Sequence, residues 1–143
     1  MRLVVLVLAV LLMSGCNLFE AYDPAINATG KQVVAEWKQR PEVAAAQFEY
    51  RHGLDAGGHL RLEVMLKAEA ITDAVLDEIV EIARKDCWLG TPYDCYATYV
   101  IYTTDDPPYA DKPGTGKWVR QGEVELTADM EASYGPRPAR PTK

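Results

Sequence analysis

Leu60-Arg61-Leu62-Glu63-Val64-Met65-Leu66-Lys67 is the most regular stretch of the chain. Apolar Leu60, Leu62, Val64 and Leu66 alternate with Arg61, Glu63, Met65 and Lys67. A period of two with one apolar and one mainly charged side reads as a strand resting one face on a core. The residues that follow supply the covering layer. Thr72 can cap a helix, and Asp73 suits its first turn. Val75, Leu76, Ile79, Ile82 and Ala83 then form one apolar stripe at helical spacing. Asp77, Glu78, Glu81 and Lys85 lie off the stripe, with Glu81 and Lys85 spaced for an i,i+4 pair. That acidic face reads as solvated, not as a paired-carboxylate active site.

Farther on, Tyr96-Ala97-Thr98-Tyr99-Val100-Ile101-Tyr102-Thr103 carries β-branched and aromatic residues on both faces, as an interior strand does. Strand, helix and strand in one sheet imply a right-handed crossover. On the N-terminal side, Phe48 and Tyr50 alternate with Glu49 and Arg51, and Gly53 to Gly58 reads as a hairpin loop. Pairing the apolar faces sets Tyr50 opposite Leu62 and His52 opposite Leu60, which leaves His59 in the loop or on the other face. His52, Asp55 and His59 therefore converge on a metal only if a bulge at Gly57-Gly58 intervenes, and no metal ligands are assigned.

Before this hairpin, Val33, Val34 and Trp37 mark a short helix from near Thr29 to a break at Pro41. Glu42 to Gln47 can add a further helical turn or two. After the interior strand, residues 104–116 form a long loop without helical or strand period, and loops of this length are commonly functional or mobile. Asp105, Asp106, Tyr109 and Asp111 in this loop are the candidate partner contacts, with Tyr109 as an exposed anchor. Gly114-Thr115-Gly116-Lys117 has a superficial likeness to a phosphate-binding loop. Asp111 stands where the first glycine belongs, Trp118 replaces Ser or Thr, and a strand follows, so that reading is rejected. The last strand runs from Trp118 to Leu126, with Trp118, Val124 and Leu126 on one face and Gly122 marking a bulge or close approach. From Glu131 the chain becomes rich in proline and reads as an extended or disordered tail.

The order α-β-β-α-β-β predicts a small α+β fold: an antiparallel-rich sheet of about four strands with helices packed on one face. The expected divisions are 1–15, 16–28, a single domain over 29–130, and a tail over 131–143. Asp and Glu number 21 against 15 Lys and Arg, a net charge of -6. Nucleic acid is a poor partner for such a domain, because phosphate is bound chiefly by Lys and Arg.

The opening residues carry a separate message. Met1-Arg2 precedes an unbroken apolar run from Leu3 to Met13, followed by Ser14-Gly15-Cys16. The run falls short of the roughly 20 residues that span a bilayer and has the layout of a secretory signal. Leu12-Met13-Ser14-Gly15-Cys16 resembles the lipobox of bacterial lipoproteins, although Met13 stands where that family prefers Leu. The resemblance covers the export segment alone. It implies cleavage of residues 1–15 as a signal peptide, diacylglycerol on Cys16 and usually acylation of the new amine. Residues 16–28 would then be a lipidated tether. Two or more acyl chains hold a protein stably on a membrane. Asn17 in place of aspartate implies the outer membrane facing the periplasm, if the envelope is Gram-negative.

With Cys16 lipidated, Cys87 and Cys95 remain, and outside the cytoplasm such a pair is expected to oxidise. A closed loop of about 9 residues gives roughly 2.6 kcal/mol in the chain-entropy model. The spacing suits neither zinc nor a redox Cys-x-x-Cys pair. No nucleophile elbow, His-Glu-x-x-His motif or cofactor signature is present, so no catalytic residue and no cofactor is assigned. The expected role is a membrane-anchored envelope lipoprotein, a non-catalytic interaction or accessory domain with an envelope protein as partner. The alternative is a small inhibitor or immunity lipoprotein that binds a basic hydrolase or toxin by charge complementarity. A third reading, a carboxylate-based hydrolase, would require a cleft holding two carboxylates with separated pKa values.

Overall fold

The computed structural model describes residues 22–53, 58–92, 96–108 and 114–139. Its elements are helix α1 (Pro24–Lys38), strands β1 (Val43–Arg51) and β2 (His59–Leu66), a 3-10 turn (Ala68–Ala70), helix α2 (Asp73–Gly90), strands β3 (Ala97–Thr103) and β4 (Arg120–Glu123), and a short helix α3 (Met130–Tyr134). The strands lie in the order β1-β2-β3-β4. β1/β2 and β3/β4 are antiparallel, while β2/β3, joined through α2, are parallel. The α+β architecture read from the sequence is the observed one, with a mixed sheet.

The alternation of β2 sets the layers. Leu60, Leu62, Val64 and Leu66 pack with Val33, Val34 and Trp37 of α1 and with Leu76, Ile79 and Ala83 of α2 in one core. Trp37 is fully buried, and its indole N–H donates to the Ile79 carbonyl at 2.9 Å, tying α1 to α2. Gly30 lets α1 lie close to β1: a Cβ there would fall 2.5 Å from the Phe48 ring. On the opposite face of the sheet Met65, Val100 and Tyr102 form a small second cluster beside Ala45.

Several boundaries differ from the sequence reading. α1 starts at Pro24, not near Thr29, so part of the expected tether is helix. Asp23 is its N-cap, accepting from the Ala25 N–H at 2.8 Å, and Pro24 opens its first turn. Residues Val43–Gln47, read as helical turns, belong to β1, where Ala46 sits opposite Val64 and Gln47 opposite Glu63. Pairing along β2 overrides the helix preference of the three alanines. The β1/β2 register is shifted by two from the expected one: Tyr50 faces Leu60 and Phe48 faces Leu62. A slip of two preserves every side chain's face, so the core assignment survives.

α2 continues about two turns beyond the expected stripe, to Gly90. Glu81 pairs with Arg84 at 2.7 Å rather than with Lys85, whose ammonium reaches Glu36 on α1. The acidic face also receives Arg40 at Glu78 and Arg120 at Asp77, the latter at 2.6 Å. It is a bracing surface as well as a solvated one. β4 is shorter than the strand expected over 118–126. Trp118 precedes the ladder and is exposed, while Val124 is buried. Gly122 is a close approach, crossed by the Tyr99 ring. The chain from residue 131 does not begin as an extended tail: α3 forms, the Trp88 indole donates to the Gly135 carbonyl at 2.8 Å, and Arg137 donates to the Thr91 carbonyl at 3.1 Å. Arg137 also stacks 5.0 Å from the Trp88 ring centre.

Candidate functional site: the cleft between α1 and α2

The helices run antiparallel, with Thr29 beside Gly90 and Glu36 beside Lys85. Between them opens a cleft of about 540 Å³, within the range of small-molecule sites. α1 contributes Thr29, Gln32 and Glu36 to its lining, at the i, i+3, i+7 spacing of one helix face. The last two turns of α2 contribute Lys85, Asp86 and Gly90, and Ala25, Ala28 and Leu89 add an apolar border. The helices approach closely at Gly90, where a Cβ would lie 2.2 Å from the Thr29 hydroxyl oxygen.

Three charges meet here. Lys85 Nζ lies 2.7 Å from Glu36 Oε2 and 3.7 Å from Asp86 Oδ1. Gln32 Nε2 donates to the other Glu36 oxygen at 2.9 Å. The Lys85 hydrogen bond holds Glu36 below the usual carboxylate range and, reciprocally, raises Lys85. Asp86 goes the other way. Burial, reinforced by the Glu36 charge and only partly offset by Lys85, pushes it up to about 6. It is only 6% exposed, and its Oδ2 has no hydrogen-bond partner among the described residues. Thr29, 3% exposed, likewise has an unpartnered hydroxyl oxygen. Buried polar atoms are normally hydrogen-bonded, so two orphans in one cleft are informative.

None of these residues is a site candidate in the sequence reading, where Lys85 appears only as an i,i+4 partner of Glu81 and Thr29 only as a helix start. Asp86 carried a readable signal: Ala83 and Cys87 are both buried in the apolar stripe, and Asp86 three residues after Ala83 continues it. Ending the stripe at Ala83 hid a carboxylate on the inner face. The approach of Glu36 to Lys85, 49 residues apart, had no local signal.

The residues singled out from the sequence fall elsewhere. Cys16, Cys95, Tyr109 and Asp111 lie outside the described residues, and so does the Cys87–Cys95 pairing. Cys87 itself is fully buried in the last turn of α2. Asp105 is exposed. Asp106 is engaged within its own loop: its carboxylate accepts the backbone N–H groups of Thr115, Gly116 (3.2 Å) and Lys117 (3.0 Å) and the Thr115 hydroxyl at 2.6 Å. Successive N–H groups of this kind form an anion-binding nest, and here the anion is the chain's own Asp106. These bonds lower the Asp106 pKa. The histidines part company. His52 joins Tyr22 and Tyr50 in a ring cluster, while His59 lies on the other face with Nε2 2.8 Å from Thr98 Oγ1. Asp55 is outside the described residues. No group of His, Cys, Asp and Glu suited to a metal occurs among the described residues, and none of their helices is long and apolar enough to cross a membrane.

Comparison with protein-family models, with curated proteins and with solved structures finds no match for the chain.

Proposed function

We propose that the protein is a bacterial lipoprotein, held at the cell envelope by lipid on Cys16, whose folded domain is a non-catalytic binding or accessory module. The observation that carries this reading is the apolar run Leu3–Met13 ending in Leu12-Met13-Ser14-Gly15-Cys16. The early start of α1 adds to it. Only seven residues separate Cys16 from the start of α1, so at full extension the start of α1 stays within about 25 Å of the anchor. The cleft between α1 and α2, which includes Ala25 in the first turn of α1, would lie at the membrane-proximal end.

Two other roles draw on particular features and fit less well. A hydrolase could use carboxylates with pKa values pushed apart, as Glu36 and Asp86 are. Here the Lys85 ammonium is already paired with both carboxylates, 2.7 Å from Glu36 and 3.7 Å from Asp86. An inhibitor of a basic hydrolase or toxin could use the net charge of -6, but Asp77, Glu78 and Glu81 are already matched by Arg120, Arg40 and Arg84.

The test is fractionation of Cys16→Ser beside the wild type, followed by crosslinked pull-down from whole envelopes. The reading expects the wild type in membranes and the variant released from them. An unchanged membrane fraction for Cys16→Ser overturns the anchor. One dominant envelope partner supports the accessory role, whereas salt-sensitive one-to-one capture of a basic hydrolase replaces it with the inhibitor role.

A further inference from the structure

We propose that the α1–α2 cleft binds a primary ammonium group carried on a short apolar stem. The argument is one of charge and of unmet hydrogen bonds. Two carboxylates, Glu36 and Asp86, share one cation, Lys85. Lys85 sits a full ångström closer to Glu36, so Asp86 is the carboxylate left short of positive charge. Among the described residues, its Oδ2 and the Thr29 hydroxyl oxygen are the buried side-chain atoms of the cleft with no hydrogen-bond partner. A buried carboxylate oxygen without a hydrogen-bond partner is costly, and a cation that donates hydrogen bonds both satisfies that oxygen and adds to the positive charge that Asp86 now shares with Glu36. A primary ammonium has three N–H donors, enough for Asp86 Oδ2, Thr29 Oγ1 and one further acceptor. Ala25, Ala28 and Leu89 offer the stem an apolar surface. Gln32 and Leu89 also line the cleft, and both are exposed.

Other titratable groups face this pair. Glu36 comes from α1 and Lys85 from α2. One turn away stand Glu81, Arg84 and the Tyr134 hydroxyl, which are bonded to one another. Of these, only Lys85 lies within ion-pair reach of Asp86, at 3.7 Å. Ammonium binding requires ionised Asp86, so affinity falls as pH drops through about 6 and binding below that pH releases a proton.

The ammonium can come from a free amine or from an ethanolamine phospholipid headgroup, given the short tether. This inference rests on the binding-module reading but not on the anchor, because its assay uses detergent-solubilised full-length protein. Thermal unfolding and calorimetry would be run at pH 7.5 and pH 5 with putrescine, ethanolamine and choline. Vesicles of phosphatidylethanolamine or phosphatidylcholine form a second arm.

The expected result is a rise in Tm at pH 7.5 with putrescine or ethanolamine, at least tenfold weaker binding at pH 5, and no effect of choline, which has no N–H to donate. Asp86→Asn should fold and lose the response. A response to ethanolamine vesicles alone assigns the lipid as the source, and one to free amines alone assigns a soluble ligand. Equal binding of choline, undiminished binding by Asp86→Asn, or no response in either arm overturns the proposal. Should the anchor fail instead, the released Cys16→Ser protein would still respond to the amine.

Discussion

At the scale of single residues, Asp86 is the unusual one, a carboxylate in the apolar stripe of α2. Its folded pKa, about 6, is raised above the ordinary value of 3.8. Folding therefore takes up a proton between those two values, and the Asp86 contribution to stability falls as pH rises from 4 to 7. The shift corresponds to about 3 kcal/mol. Asp86→Asn should gain stability relative to wild type at pH 7.5, by up to that amount, and lose the advantage near pH 4. Urea denaturation of both proteins at the two pH values reads this directly; a constant difference would mean that Asp86 is not the titrating group. Gly30 makes a second prediction. A methyl group there meets the Phe48 ring, so Gly30→Ala should cost about 1–3 kcal/mol by overpacking. An unaltered denaturation midpoint would show that α1 can retreat from β1 freely.

At the scale of elements, the boundaries teach more than the centres. β2 and β3 were readable because their side-chain patterns are local. β1 was half readable: Phe48 and Tyr50 alternate, but Val43-Ala44-Ala45-Ala46-Gln47 has no period, and pairing with β2 alone makes it a strand. Asp23-Pro24 looked like a linker because Pro is common in linkers. The same dipeptide is an N-cap followed by the residue best suited to the first helical position. Asp23→Ala should therefore destabilise the domain by about 1 kcal/mol, measured as a shift in the denaturation midpoint. A tether residue would give no shift. The cleft was least readable, because Glu36, Lys85 and Asp86 meet only when two helices far apart in sequence pack together.

The long connection between β3 and β4 is braced by Asp106. Its lowered pKa means that this bracing is present above the ordinary carboxylate range and lost as pH falls through the folded value. Asp106→Ala should make residues 104–117 the preferred site of limited proteolysis while the denaturation midpoint of the domain moves little. Cleavage elsewhere, or general unfolding, would show that the loop carries more of the fold than its exposure implies. At the other end, the attachment of Gly135 and Arg137 to Trp88 and Thr91 gives the C-terminal segment a structural duty. Composition could not show this, because three alternating prolines exclude a helix or strand but not docking by hydrogen bonds and ring stacking.

At the scale of the whole molecule, the sequence speaks in two registers. The first sixteen residues resemble an export and lipidation signal, and the rest build one core between two helices and one face of a mixed sheet. The proposed lipid on Cys16 would hold the cleft close to a membrane, because only seven residues separate Cys16 from α1. The measurement that tests this account most directly is the intact mass of the protein extracted from membranes. The account predicts a chain beginning at Cys16 and heavier than the bare polypeptide by a diacylglycerol and one further acyl group, or by the diacylglycerol alone. A mass equal to the unmodified chain, whether full-length or cleaved, would contradict it.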